Sequence, residues 1–261
     1  MTETVLYAAR DGVASITLNR PEVLNALDAD MIRRLKDAAE HAAGEPSVRV
    51  ILLRGAGRAF LAGGDVATFH ANLTRLPQMV ATLAGELHRA VLALRRAPKP
   101  VVASVHGAVA GAGVSLTAAA DFVIAAADTA FTLAYSRIGA SPDGGATWFL
   151  PRLAGYQKTL ELMLLPEPVD AAVMRELGVV NRVVAAAELE QETSRIIERL
   201  AAGPTLAYAE TKMLVNEAFG RSLAAHLDEE AQAFARCAAT RDFAEGVTAF
   251  VEKRAPVFKG E

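Results

Sequence analysis

Apolar residues along this chain alternate between two spacings. Runs rich in β-branched residues at 14–18, 48–53 and 101–105 read as buried strands, and each is followed by residues at helical intervals. Asp28 is placed to cap a helix through His41. Leu76, Val80, Leu83, Leu87, Val91 and Leu94 recur at helical spacing until Pro98 and Pro100 stop that helix, so the stripe reads as core. Strands are expected at 122–125 and 179–184, with a helix over 156–165 between them. Past Gly203-Pro204 only helical spacing remains, and Phe243, Val247 and Phe250 share one face of the last helix. This predicts an α/β chain with a sheet-bearing core over residues 1–200 and a helical region over 201–261. Apolar faces on so short a helical tail favour packing against another subunit.

Residues 101–127 are about long enough to span a bilayer. Gly107, Gly111 and Gly113 interrupt them, together with His106 and Asp121, so a buried strand, turn, helix and strand are expected instead of a membrane span. A length of 261 residues with 52% hydrophobic content suffices for one sizeable core. A net charge of −3 and scattered basic residues give no field for nucleic acid. The lone Cys237 forms no intrachain disulfide, and Met1-Thr2-Glu3-Thr4 lacks the basic and apolar parts of a secretory leader. A reducing cytoplasm is the expected location.

Several motif readings fail. Gly111-Ala112-Gly113-Val114-Ser115-Leu116 begins like a dinucleotide fingerprint but lacks its third glycine, and no segment ends as a P-loop does. Thr117 stands where a nucleophile elbow around Ser115 needs glycine. The five histidines and one cysteine show no pair at metal-ligand spacing. Two glycine-rich segments remain: Ala62-Gly63-Gly64-Asp65, and Gly107 to Gly113. Each follows an apolar strand-like run and enters helix-compatible sequence, which leaves backbone N–H groups free at a tight turn. Two such donors converging on one oxygen would stabilise an enolate or tetrahedral adduct, which points to acyl chemistry.

These segments, with Ile16-Thr17-Leu18-Asn19-Arg20-Pro21-Glu22-Val23-Leu24-Asn25-Ala26-Leu27, resemble the enoyl-CoA hydratase/isomerase family, or crotonase superfamily, over nearly the whole chain. The resemblance implies a ββα-spiral core with a C-terminal helical trimerisation region, assembled as homo-trimers or homo-hexamers. It implies an acyl-CoA thioester as substrate, with coenzyme A entering as part of it and no separate cofactor. Gly64 and Ala112 N–H would hold the thioester oxygen; relatives usually carry glycine at the latter position. Leu24, Ala26, Ala62, Asp65, Val66, Gly111, Ser115, Tyr135 and Pro142 are the expected substrate-binding residues. Asp65 also reads as a helix cap, and Ala26 as core. Lys259 and Phe258 are expected to reach a neighbouring subunit's CoA.

By the same resemblance, true hydratases carry glutamates at the positions of Ser115 and Tyr135. Neither replacement readily activates water as a carboxylate pair does, so efficient hydration is not expected. Asp143 follows, in a Pro142-Asp143-Gly144-Gly145 turn entering a helix. One base suffices for a double-bond shift: it takes a proton from C2 of a 3-enoyl thioester and returns it to C4. The surrounding segment is similar to the phenylacetate-pathway isomerases, whose matching Asp is the acid/base. The plainer alternative is that Asp143 supports its turn or caps the helix. A 4-chlorobenzoyl-CoA dehalogenase-like hydrolase would use Asp143 as nucleophile with His88 activating water, although His88 reads as solvated on the polar flank of its helix. A non-catalytic acyl-CoA-binding oligomer is the remaining alternative. Phe131 and Trp148 are read as core.

Overall fold

Strand 50–55 carries apolar side chains at successive positions, and such a run is stable only when both faces of its sheet are covered. In the computed structural model, which describes residues 3–261, both faces are covered. Met1 and Thr2, which open the segment inspected above for a leader, lie outside the described residues. The main sheet has β1 (Val5–Arg10) antiparallel to β2 (Val13–Leu18). β3 (Val50–Gly55), β4 (Val101–Val105), β6 (Phe122–Ala126) and β9 (Arg182–Val184) then follow in parallel. A second sheet holds β5 (Ala108–Ala110), β7 (Ala130–Thr132) and β8 (Val169–Asp170).

On one face Ile16, Leu18, Ile51 and Leu53 pack with α1 (Ala29–Gly44), α3 (Leu76–Arg96) and α4 (Ala112–Ala119). On the other, Val50, Leu52, Val102 and Ile124 meet Ile196, Ile197 and Leu200 of α8 (Leu189–Ala201). Each large aliphatic side chain buried this way contributes about 1.5–3 kcal/mol. Asp28 caps α1 as expected, accepting from Met31 N at 2.8 Å. The short helices α2 (Val66–Ala71), α5 (Ala146–Leu153), α6 (Tyr156–Leu164) and α7 (Ala171–Glu176) occupy the connections.

After Val184 the described chain forms helices alone, ending in α9 (Thr205–Glu217), α10 (Leu223–Ala238) and α11 (Arg241–Glu252). Lys212 anchors α9 by donating to the carbonyls of Leu94 and Lys99 and pairing with Asp121 at 2.7 Å. Lys259 and Gly260 N–H both donate to Asp242, which ties the tail to its own α11, while Phe258 packs near Gly246.

Three expectations are corrected. The 101–127 stretch contains the extra strand β5, because the chain after Gly107 pairs with β7 in the second sheet. Val179 and Val180 are not strand: their N–H groups bond to Met174 O at the end of α7, and pairing starts only at Arg182. Trp148 is 40% exposed, stacked under the Arg152 guanidinium at 3.8 Å, whereas Phe131 is core as read. No helix among the described residues is long and apolar enough to cross a membrane.

Asn25 ties the loop before α1 to the turn after β3. Fully buried, it shares its Nδ2 among the carbonyls of Ala56, Ala59 and Phe60 while Oδ1 accepts from Arg20 N. Asn25→Ala strands these groups, and urea unfolding should show a loss of about 2–4 kcal/mol, since several buried polar groups lose partners at once. A loss within 0.5 kcal/mol, roughly that of a surface change, would contradict this bonding.

Candidate active site

A parallel bridge brings the two glycine segments edge to edge. Leu61 N–H donates to Ala108 O at 3.2 Å and Leu61 O accepts from Ala110 N at 2.8 Å, setting Leu61 level with Val109. Three residues further along, just past the close approach of Gly63 and Gly111, the two segments reach Gly64 and Ala112. The loops touch there, because a Cβ added at Gly111 would lie 3.5 Å from Gly63 Cα. Gly113 permits this approach; its own Cβ would sit 2.5 Å from Leu61 O.

Peptide planarity aims the two amides. In a trans peptide the N–H points opposite to its C=O, and no cis bond occurs among the described residues. Gly63 O accepts from Leu27 N at 2.8 Å, so the Gly64 N–H is turned away from the protein segment that holds it. Gly111 O accepts from Val114 N and Ser115 N, so the Ala112 N–H points back out of the start of α4. Neither N–H meets an acceptor among the described residues. The aligned peptides of α4 add positive potential at its first turn, completing a setting suited to a developing oxyanion.

Three side chains from separate elements meet beside α4. Ser115 is fully buried on that helix, and Tyr135 sits in the 3-10 turn Ala134–Ile138. Tyr135 donates its hydroxyl proton to Asp143 Oδ1 at 2.7 Å. Ser115 donates to the main-chain carbonyl of Asp143 at 2.8 Å, and its oxygen lies 3.2 Å from the Tyr135 oxygen. Asp143 Oδ2 accepts no hydrogen bond among the described residues. Burial, and then the Asp143 carboxylate, push the Tyr135 phenol well above its ordinary value, so it remains an O–H donor. Beyond Asp143, Gly144 and Gly145 both adopt left-handed backbone (φ 61° and 87°) before α5 begins.

The other expected residues are placed around this centre. Ala62 N donates to Leu24 O at 3.0 Å, and the Ala26 carbonyl accepts from Arg20 at 2.5 Å. Asp65 caps α2 through Thr68 N and pairs with Arg20 at 3.2 Å. Burial opposes its charge, but the Thr68 amide and Arg20 prevail and hold the carboxyl below its ordinary value. Val66 is half exposed and Pro142 partly buried. His88, read as merely solvated, is exposed but also accepts from Gly144 N at Nε2, 3.3 Å away.

Arg20 and Phe69 were missed. Arg20 reaches Asp28, Asp65 and Ala26 O, and a Cβ on Gly64 would come within 2.8 Å of Phe69 Cζ. Arg20 stood in the quoted N-terminal motif; Phe69 gave no signal. Among the described residues no group of His, Cys, Asp and Glu is arranged to hold a metal ion.

This chain belongs to the enoyl-CoA hydratase/isomerase family, whose model matches residues 8–261. It is 39% identical over 257 residues to a probable enoyl-CoA hydratase of Rhodobacter capsulatus, covering 98% of each chain. It is 35% identical over 262 residues to the 1,2-epoxyphenylacetyl-CoA isomerase of Escherichia coli, covering 100% of both. A crystal structure of an enoyl-CoA hydratase from Polaromonas sp. JS666 superposes with a TM-score of 0.93 at 35% identity, covering 98% of this chain and 99% of that one. The mixed α/β fold with C-terminal helices is thus the crotonase fold, and the family acts on acyl-CoA thioesters.

Tyr135→Phe removes the donor to Asp143 Oδ1, and turnover of an acyl-CoA substrate should fall about 10- to 100-fold, the usual effect of losing a hydrogen bond to a charged group. The phenolate absorbance difference between wild type and this variant should show no titration below pH about 10. A transition near neutral pH would contradict the buried, Asp143-paired phenol.

Proposed function

We propose that this protein is an acyl-CoA isomerase that shifts a double bond, from 3-enoyl-CoA to 2-enoyl-CoA or on a ring-modified phenylacetyl-CoA. Asp143 is its single acid/base. The observation carrying this reading is the Asp143 carboxylate, with Tyr135 on Oδ1 and no protein partner on Oδ2 among the described residues. Oδ2 takes the C2 proton of the substrate, the Gly64 and Ala112 amides stabilise the dienolate oxygen, and the same carboxyl returns the proton at C4. Charge moves from Asp143 to the thioester oxygen and back, so a donor for each end of the path is required.

Hydration needs a second acid/base group to manage water. Ser115 and Tyr135 stand at the two positions that carry glutamates in hydratases, and the raised Tyr135 phenol is a poor base. This favours isomerisation, although relatives carry both names. Leu24, Ala26, Ala62, Asp65 and Val66 line the path of the CoA moiety in this reading, and Gly111, Tyr135 and Pro142 the acyl end, with Ser115 buried behind them. The working location is the cytoplasm. The assembly is a homo-trimer or homo-hexamer built on the C-terminal helices, a reading supported by the exposure of Phe219, Phe234 and Phe250 (76%, 67% and 86%).

With 3-enoyl-CoA substrates, Asp143→Asn should keep binding but lose turnover by about 10²- to 10⁴-fold, the range for a positioned acid/base. Proton exchange at C2, followed by NMR, should vanish with it. Unchanged turnover removes Asp143 from the chemistry; efficient water addition to crotonyl-CoA, or halide release from a chlorobenzoyl thioester, replaces the isomerase reading. Sedimentation should give a trimer or hexamer, and a monomer at micromolar concentration would end the assembly reading.

A further inference from the structure

The Asp143 turn is built from residues that resist rearrangement poorly. Gly144 and Gly145 are consecutive left-handed glycines, and glycine gives up the most backbone freedom when fixed in one conformation. Something outside the turn has to hold it. Ser115 grips the carbonyl before this glycine pair, at 2.8 Å. The amide after that carbonyl, Gly144 N–H, is directed at His88 Nε2, 3.3 Å away on α3.

Helix α3 is a firm anchor. Leu87, Ala90, Val91 and Leu94 fix it in the main core, and Leu87 itself lies beside Gly144, 3.6 Å from where a Cβ on that glycine would stand. His88 therefore presents an acceptor nitrogen from a rigid element to the peptide that follows Asp143. Accepting that hydrogen bond requires Nε2 to carry no proton, so a neutral ring carries its hydrogen on Nδ1.

We infer that His88 is a positioning residue: by accepting the Gly144 N–H it fixes the backbone from which Asp143 reaches the reacting carbons. The inference rests on the reading of Asp143 as the acid/base. Tyr135 sets the direction of the carboxylate, Ser115 holds the peptide before Gly144, and His88 holds the amide that the same peptide presents on its other side. Losing the third tether spares the oxyanion donors and the CoA path, which belong to other loops, and Pro142 precedes the tethered peptide, so binding is largely kept while the share of complexes with Oδ2 in reach falls.

The test compares His88→Leu, which removes the acceptor, with His88→Gln, whose amide oxygen restores one, and with Asp143→Asn, all as full-length protein acting on a 3-enoyl-CoA. His88→Leu should lose about 10- to 100-fold in kcat, the effect of a small misplacement of a reacting group. KM should stay within about twofold, because binding is spared, and His88→Gln should recover most of the rate. If Asp143→Asn is inactive while His88→Leu turns over like wild type, or while Leu and Gln lose equally, His88 has no positioning role and the acid/base reading survives. If Asp143→Asn is fully active, the acid/base reading falls and this inference with it. Should His88→Leu not fold, ring-nitrogen NMR of the wild type, assigned against His88→Gln, decides: a proton on Nδ1 supports the inference and a proton on Nε2 overturns it.

Discussion

One short contact governs this site: the parallel pairing of Leu61 with Val109. It joins two segments that arrive from different strands and sets them in register three residues before Gly64 and Ala112. A slip of one residue would swap N–H for C=O at the cleft and replace attraction for negative charge with repulsion. The surrounding bonds act to prevent that slip. Leu27 clasps Gly63 and Asp65 on either side of Gly64, and the first turn of α4 holds the carbonyl of Gly111. Arg20 braces the first loop from behind through Asp65, and Asn25 locks the segment before α1, which carries Arg20, to the turn after β3.

The carboxylate side is organised on a different principle. Where the amides are aimed by main-chain pairing, Asp143 is aimed by side chains from three other elements. These are Ser115 on α4, Tyr135 in a 3-10 turn and His88 on α3. Burial and the neighbouring carboxylate push the phenol above its ordinary value, so it remains an O–H donor at neutral pH. A buried hydroxyl in this arrangement orients the carboxylate it bonds without giving up its own proton.

How much of this the sequence announces depends on the range of the interaction. Local signals were legible: the Asp28 cap, the α3 stripe, the proline stop and the glycine segments each depend on residues a few places apart. The family motifs, read together, carried the fold. The strands β5, β7 and β8 were not legible, since two or three residues hold no periodicity and their pairing is decided by distant segments. Val179 and Val180 look like strand because burial selects the same side chains in a loop. Trp148 looks like core for its size, yet lies under Arg152 near the surface. His88 could not be placed because its partner, Gly144, is a backbone amide, and backbone groups leave no mark on residue type.

All eight residues of α4 are buried, from Ala112 to Ala119, so this helix has no side turned to solvent. Displacing it would open the main core, which makes its leading amide one of the least mobile donors in the molecule. The periphery is held less tightly: Phe69 lies half-buried on its short helix, and the turn beyond Tyr135 is exposed. A substitution at that rim therefore costs the fold less than one inside α4, where every side chain is packed.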